Sequence, residues 1–360
     1  MINLLALTRY GRLGASSRLR SFQYREPLAR LGIDFDIVPL FGDDYISTIY
    51  NRTGRAQTVL KALAWRVRAL FSSKAYDGLW VEKEMLPWLP AFLELALISQ
   101  KLPLIVDCDD AVFHRYDTHR SSIVRAVLGR KLDRIMARAD LVTAGNDYLA
   151  DRAQRAGARH VEIVPTVVDL KRYSIGPRSN ADMVTVGWIG SPITAPYLDI
   201  VKPILESLSQ DVPLRAVAIG ARPDQLAGSI FTATPWSEET EVDEIRKIDI
   251  GIMPLPDNPF ERGKCGYKLI QYMALGLPVV ASPVGVNKQL IRHGQNGFLA
   301  ADSGQWREAI ATLCNDPALR HSFGAAARVD VERHYALSVM APRLADLIEG
   351  AVVSVNRRGS

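Results

Sequence analysis

The feature that most constrains this chain is an alternation. Short apolar runs bounded by turn residues take turns with longer amphipathic segments. Strands are expected at 3–7, 35–40, 79–82, 104–108, 141–144 and 161–164, with helices near 17–31, 53–73, 88–100, 121–138 and 146–156. The pattern then repeats. Strands are expected at 184–189, 214–219, 231–233, 249–253 and 278–281, with helices near 195–208, 238–246, 266–275, 286–293, 304–313 and 317–333. Such alternation implies parallel sheets covered by helices on both faces. The polar segment 171–182, with its Gly176-Pro177, separates the two runs. The expectation is α/β, with two doubly wound domains at 1–175 and 176–335. A C-terminal helix within 336–360, about 337–354, can return to the first domain and leaves a frayed polar tail. In open α/β sheets ligands bind at the carboxyl ends of strands, where helix N-termini offer free N–H groups, so the expected site is the cleft between two such edges.

A length of 360 residues suits two domains, and 48% hydrophobic with 23% charged residues suits a soluble globular core. Cys108, Cys265 and Cys314 are far apart and form no CxxC pair. This argues against a disulfide framework or structural zinc and for a reducing, cytoplasmic setting. The apolar Met1–Leu7 lacks a preceding basic segment and reads as a first strand rather than a signal peptide. The longest apolar stretch, 85–98, is broken by Pro87 and Pro90 and carries Glu94, too short and too interrupted to span a bilayer. The net charge of +5 is uneven: residues 1–175 hold 26 Lys and Arg against 19 Asp and Glu, residues 176–360 hold 18 against 20. An electrostatic partner would therefore meet the first half.

The richest stretch in chemical terms is 249–282. Gly263 and Gly266 free the backbone at the start of the helix 266–275, where N–H groups and the helix dipole favour a diphosphate. Lys264 stands just before that helix as a point charge. Leu269, Ile270, Met273 and Ala274 share a face that should pack on the sheet, leaving Lys268 and Gln271 opposite, free to reach a ligand. Pro254-Leu255, then this helix, then Ala274-Leu-Gly-Leu-Pro-Val-Val280, then Gly294-Gln-Asn-Gly-Phe-Leu299 form an ordered series. The series resembles the donor-binding half of family 4 glycosyltransferases, strongly over about 184–334 and more loosely before it, where Ile163–Asp169 is similar to the segment closing that family's first domain. The resemblance implies two facing Rossmann-like domains (GT-B), a nucleotide-sugar donor, retention of anomeric configuration and no metal or other cofactor. Gly190, Ser191, Leu255, Arg262, Gly266, Tyr267 and Gln271 are the residues expected at the donor.

Two departures stand out. The family often carries two glutamates eight positions apart, the first for the donor sugar and the second for the ribose; here those positions are Gly263 and Gln271. Gln271 can still hydrogen-bond a ribose diol, while the sugar contact must come from elsewhere, such as amides near Gly266 or the Glu261 side chain. The family's basic pair after the first strand of the second domain is also absent. Gly190 and Ser191 offer backbone and hydroxyl donors there, and the positive charge falls to Lys264, Lys268 or Arg262.

In the first domain, Gly11–Arg20 is a small-residue turn with Ser17 as a candidate N-cap. The resemblance places this loop, with Gly14 and Arg18, across from the donor phosphates. The fourth strand ends in Asp107-Cys-Asp-Asp110 and leads to His114, a candidate acceptor ligand or equally an ordinary surface histidine. Crowded carboxylates should raise at least one pKa. Asp109 or Asp110 could orient an acceptor hydroxyl or take its proton, with a divalent cation as the competing use. Helix 53–73 is amphipathic, with Val59, Leu60, Leu63, Val67 and Leu70 on one face and Lys61 and Arg68 opposite. With Arg120, Arg125, Arg130, Lys131 and Arg134, it suggests an anionic acceptor or a peripheral position on the inner face of the cell membrane; a solvated basic face is the alternative.

These readings converge on a retaining glycosyltransferase of hexosyltransferase type. Lys264 and Lys268 would stabilise the leaving diphosphate, and the acceptor is expected to be a lipid-linked or polysaccharide glycan of the cell surface. The rivals are a non-catalytic nucleotide-sugar-binding protein and a sugar epimerase of the same fold. Nucleic acid is not an expected partner, because the basic surplus is modest and no aromatic–basic motif accompanies it.

Overall fold

The computed structural model describes residues 1–43, 56–176 and 183–359. The chain divides into two compact units. The first comprises Met1–Thr166, Gly263–Cys265 and Leu337–Ser360; the second comprises Val167–Arg262 and Gly266–Ala336. Residues 177–182 of the expected connector, and 53–55 of the expected helix 53–73, lie outside the described residues.

Each unit is built on one parallel sheet. In the first, β1 (Ile2–Tyr10), β2 (Ile33–Phe41), β3 (Gly78–Glu82), β4 (Leu104–Cys108), β5 (Leu141–Ala144) and β6 (Val161–Ile163) lie in the order β2-β1-β3-β4-β5-β6. In the second, β7 (Val184–Ile189), β8 (Leu214–Ile219), β9 (Phe231–Thr234), β10 (Ile250–Met253), β11 (Val279–Ala281) and β12 (Gly297–Leu299) lie in the order β12-β11-β10-β7-β8-β9. Read from its first strand, the second order is that of a dinucleotide-binding sheet, and the chain reverses direction between β7 and β10. In the first unit the reversal falls between β1 and β3. The central strands β3, β4, β5, β7 and β10 are buried along their whole length, as expected for sheets covered on both faces.

The alternation of elements holds, while several helices are shorter than their periodicity suggests. The expected helix 17–31 is broken into Ala15–Arg20, a 3-10 turn Phe22–Tyr24 and Arg25–Arg30. Pro27 has no N–H and fits only a first turn, so a new helix must start just before it. Pro203 does the same to 195–208, which becomes a 3-10 turn Ala195–Ile200 and the helix Lys202–Leu208. The region 121–138 divides at Gly129 into Ser122–Leu128 and Lys131–Arg138. The final helix runs on to Gly359 instead of fraying, and Gly297–Leu299 adds a strand to the expected set.

The helix Ala56–Phe71 corrects the expected division of faces. Leu70 and Arg66 are buried, whereas Leu60, Trp65 and Phe71 are exposed together with Lys61 and Arg68. Arg66 donates to the carbonyls of Thr8 and Val38 at the sheet edge, so it pins the helix rather than presenting charge. Burial lowers its guanidinium pKa to about 10.

Candidate functional site

In the second unit the loops after β7 and β10 flank the reversal point, where open α/β sheets take their ligands. Gly190 follows β7 directly. A Cβ there would come within 2.3 Å of the Trp188 indole, so only glycine lets the backbone turn against that buried ring. Ser191 begins a tight turn whose carbonyl accepts from Thr194 and Ala195 at 2.9 and 3.1 Å. After β10, the Leu255 side chain is buried and its N–H is held by Ser282 Oγ at 2.9 Å. Arg262 forks onto Asp257 at 2.6 and 3.2 Å.

Gly266 caps the helix Tyr267–Ala274 with φ of 67°, the left-handed conformation that glycine adopts freely. The N-cap glycine has no side chain to cap the helix, whose N-terminus carries the positive end of the helix dipole. Lys268, in the first turn, holds its Nζ 4.7 Å from the Trp188 ring centre, beside the strand that leads to Gly190.

The expected free face for Gln271 is corrected. From Leu269 onward the helix is buried all round. The Gln271 amide donates to Tyr173 Oη at 2.8 Å, and that phenol also meets Tyr267 Oη and Glu241, both at 3.2 Å. Trp236 closes the network on Glu241 at 3.0 Å. Gln271 is thus oriented by a buried cluster, and Tyr173, in the segment read only as a polar connector, carried no sequence signal.

In the first unit Gly14, not Ser17, occupies the N-cap of Ala15–Arg20. Ser17 donates instead to Glu82 at 2.6 Å and accepts from the Tyr10 N–H at 3.1 Å. Arg18 is buried, with Nη1 3.4 Å from the Arg12 carbonyl. Arg20 forms a forked ion pair with Asp107 at 2.5 and 3.0 Å and donates to the Val164 carbonyl at 2.7 Å, tying β4 to the helix after β1.

The two aspartates after β4 are separated electrostatically. Asp109 meets Lys83 Nζ at 2.5 Å, and Lys83 reaches Glu82 at 3.2 Å. Burial opposes ionisation of Asp109, yet Lys83 and then Arg20 offset it and hold the carboxyl below its usual range. For Asp110 burial outweighs the attraction of Lys264, 3.7 Å away, and Asp109 repels it further, so its carboxyl is raised. Lys83 escaped the motif reading, although its place just past β3 could have marked it; its φ of 66° is strained for a lysine and common at functional sites. Lys264 belongs to this group: its carbonyl accepts from Asn146 Nδ2 at 2.9 Å, and the neighbouring Cys265 thiol meets the Asp109 carbonyl at 3.1 Å. His114 has both ring nitrogens engaged, by Asp117 and by Tyr148 Oη, each at 2.8 Å. Among the described residues no group of three or more His, Cys, Asp or Glu is arranged to hold a metal, and no helix is long and apolar enough to cross a membrane.

Residues 185–316, which include both loops of the second unit, match the protein family described as glycosyl transferases group 1. The chain is 27% identical over 217 residues to TuaH of Bacillus subtilis, a protein assigned to teichuronic acid biosynthesis as a glycosyltransferase, covering 54% of this chain and 53% of that one. It is 27% identical over 225 residues to a D-inositol 3-phosphate glycosyltransferase of Actinosynnema mirum, covering 53% and 52%. The chain thus spans about half the length of these relatives. Among solved structures, it superposes on HepE of Anabaena in complex with UDP with a TM-score of 0.70 at 16% identity, over 97% of this chain and all of that one. It superposes on a sucrose-phosphate synthase from Thermosynechococcus elongatus with a TM-score of 0.72 at 15% identity, over 98% and 100%. The chain has the two-sheet α/β fold of these GT-B structures, and its second sheet carries the group 1 glycosyltransferase segment.

Proposed function

We propose that the protein is a retaining glycosyltransferase that moves a hexosyl group from a nucleotide-diphosphate sugar to an acceptor hydroxyl without a metal. The observation that carries this reading is the reversal point of the second sheet. There the N-terminus of a glycine-capped helix, the Lys268 ammonium and the Gly190–Ser191 turn form an anion-receptive edge within the matched segment. As the glycosidic C–O bond breaks, negative charge grows on the departing diphosphate, and Lys264, Lys268 and the helix N–H groups stabilise it more in the transition state than in the ground state. The acceptor oxygen attacks the same face, and its proton passes to the departing diphosphate or to Asp110. Two relatives are named for teichuronic acid biosynthesis and for D-inositol 3-phosphate, which supports a hydroxyl-rich acceptor; a lipid-linked or polysaccharide glycan is the acceptor proposed. Thermal unfolding with UDP, GDP and ADP tests the donor site. One of them at 100-fold its dissociation constant should add about 2.7 kcal/mol of stability; no shift with any of the three would refute the reading.

Peripheral attachment to an anionic membrane is part of the same proposal. It is supported by the exposed Leu60, Trp65 and Phe71 beside Lys61 and Arg68 on one helix of the first unit. Binding to vesicles should strengthen with anionic lipid and weaken with salt, and Lys61→Gln with Arg68→Gln should weaken it. Equal binding to neutral and anionic vesicles would remove this part.

A further inference from the structure

Asp107, Asp109 and Asp110 lie at the end of β4 and just beyond it, and each has its own cation. Arg20 forks onto Asp107, Lys83 meets Asp109 at 2.5 Å, and Lys264 stands 3.7 Å from Asp110. The Asp110 side chain is 28% exposed, against 11% for Asp109 and 0% for Asp107, so Asp110 holds the loosest and most open place of the three. Burial opposes ionisation of Asp109, and Lys83, Arg20 and Ser16 offset it. For Asp110, burial and the charge of Asp109 prevail over Lys264, Lys83 and Arg115.

Lys83 reaches Asp109 from a backbone that is costly to hold. The Glu84 N–H donates to the Glu82 carbonyl at 2.8 Å, closing a turn over Lys83, whose φ is 66°. A γ-turn with positive φ is rare and strained, and such strain persists only where the surroundings over-determine it. The Glu84 carboxylate pairs with Lys131 at 2.7 Å and accepts from the Tyr116 hydroxyl at 2.9 Å and from Arg9 at 3.3 Å. Next along the chain, the Met85 and Leu86 N–H groups both donate to Glu94 at 2.8 Å, and the Leu86 carbonyl accepts from Lys131 at 2.6 Å. Lys131 also pairs with Glu94 at 3.1 Å. Glu84, Glu94 and Lys131 are all buried, and ion pairs at such depth add little net stability over apolar packing. What the network fixes is the segment 84–86, and with it the turn that aims Lys83. Besides Asp109, the Lys83 ammonium meets Glu82 at 3.2 Å, a carboxylate already held by Ser17 and the Arg9 N–H.

We propose that Lys83, aimed by this network, is a positioning residue that clamps Asp109 as the fixed member of the pair and leaves Asp110 to take the acceptor's proton. The proposal rests on the glycosyltransferase reading above and adds the residue that divides the roles of the two carboxylates. As a lone pair of the acceptor oxygen forms the new C–O bond, its proton passes to Asp110, and the electrons of the broken glycosidic bond leave with the diphosphate. Lys83 and Asp109 exchange no proton with the substrate. Glu84 acts through Lys83 and is a positioning residue as well.

Carboxyl 13C NMR of the full chain labelled at aspartate tests the clamp, with Asp109→Asn and Asp110→Asn assigning the two signals. In the wild type, Asp109 should stay ionised to a lower pH than Asp110. Lys83→Met should raise the Asp109 midpoint by about one pH unit or more, the scale of losing an adjacent opposite charge. Glu84→Gln should raise it by less, and the double variant should move it no further than Lys83→Met alone. That non-additivity is the mark of a residue acting through another; a Glu84→Gln that leaves the midpoint in place, or adds in full, would overturn its part. Should Glu84→Gln fail to fold, Tyr116→Phe, which removes one donor to the same carboxylate, replaces it. Release of diphosphate from UDP-glucose, GDP-mannose or ADP-glucose reads the function. Lys83→Met should lower kcat by about tenfold or more, while affinity for the free diphosphate changes less than about twofold, which also shows that the variant folds. An Asp109 midpoint unmoved by Lys83→Met, or an unchanged kcat, would overturn the proposal. A wild type that binds a diphosphate but releases none would overturn the proton-transfer role alone. One that neither binds nor releases any would overturn the glycosyltransferase reading, while the NMR midpoints still decide the clamp.

Discussion

Adding one methyl group at Gly263 gives the sharpest test of how the first unit is packed. A Cβ at this position would stand 2.4 Å from Ala111 Cβ, 2.9 Å from Ala111 N and 3.1 Å from Ala111 Cα, whereas carbon atoms in contact sit roughly 3.5–4.0 Å apart. Something must therefore give way by about 1 Å. Ala111 is fully buried and starts a turn in which its carbonyl accepts from His114 N at 3.0 Å. The Gly263–Cys265 segment is held by Asn146 on the Lys264 carbonyl and by the Cys265 thiol on the Asp109 carbonyl. Neither side is a flexible side-chain tip. Forced overpacking of this kind costs about 1–3 kcal/mol, which for a unit of this size lowers the melting temperature by about 2–12 °C. The sign is diagnostic, because Gly→Ala at a position with room for the methyl stabilises by about 0.4–1 kcal/mol through the unfolded chain. Thermal unfolding of Gly263→Ala, together with its turnover, reads both effects. Turnover should fall as well, since Lys264 moves with the segment and displacements near 1 Å can cost about 10²-fold. Gly263→Glu should be worse on both measures. A Gly263→Ala variant that melts at or above the wild-type temperature with full activity would refute the packing described here.

Other outcomes can be checked with the same protein. Lys264→Ala should lower kcat by roughly 10²–10³, the scale of one preorganised electrostatic donor, with a smaller effect on donor affinity; near-normal kcat would shift the role to Lys268 or Arg262. A chelator should leave turnover unchanged, and an activity lost to chelation and restored by magnesium or manganese would move Asp109 and Asp110 into a metal-binding role. If Asp110 takes the acceptor's proton it must be ionised, so the rate should rise with pH through a value above the ordinary carboxylate range. Removing the attraction of Lys264 should move that acid limb to higher pH, and Asp110→Asn should abolish it. A limb that survives Asp110→Asn would assign it to another group.

The sequence by itself determined the two parallel sheets and the loops where chemistry is expected. The strands Leu104–Cys108, Leu141–Ala144 and Val184–Ile189 fall where their apolar runs begin and end, because burial on both faces of a parallel sheet is written locally as a mostly apolar run. Gly266 was legible for a similar reason, since a glycine at a helix start is a local demand of the backbone. Local periodicity gave less where the element is short, as in Gly297–Leu299, or where one proline or glycine resets a helix, as at Pro27, Pro203 and Gly129. Tertiary structure decided which polar groups meet. Arg18 and Arg66 are buried, Gln271 read as free and is tied to Tyr173, and Asp109 finds Lys83 while Asp110 finds Lys264. Glu261 could be suspected from its loop, but only the fold shows that Tyr197 satisfies one of its oxygens. The physical reason is range. Strand and helix patterns are set by neighbours a few residues apart, whereas the partner of a charge can lie 26 residues away, as for Lys83 and Asp109, or 154, as for Asp110 and Lys264, and is chosen only when the sheets have assembled.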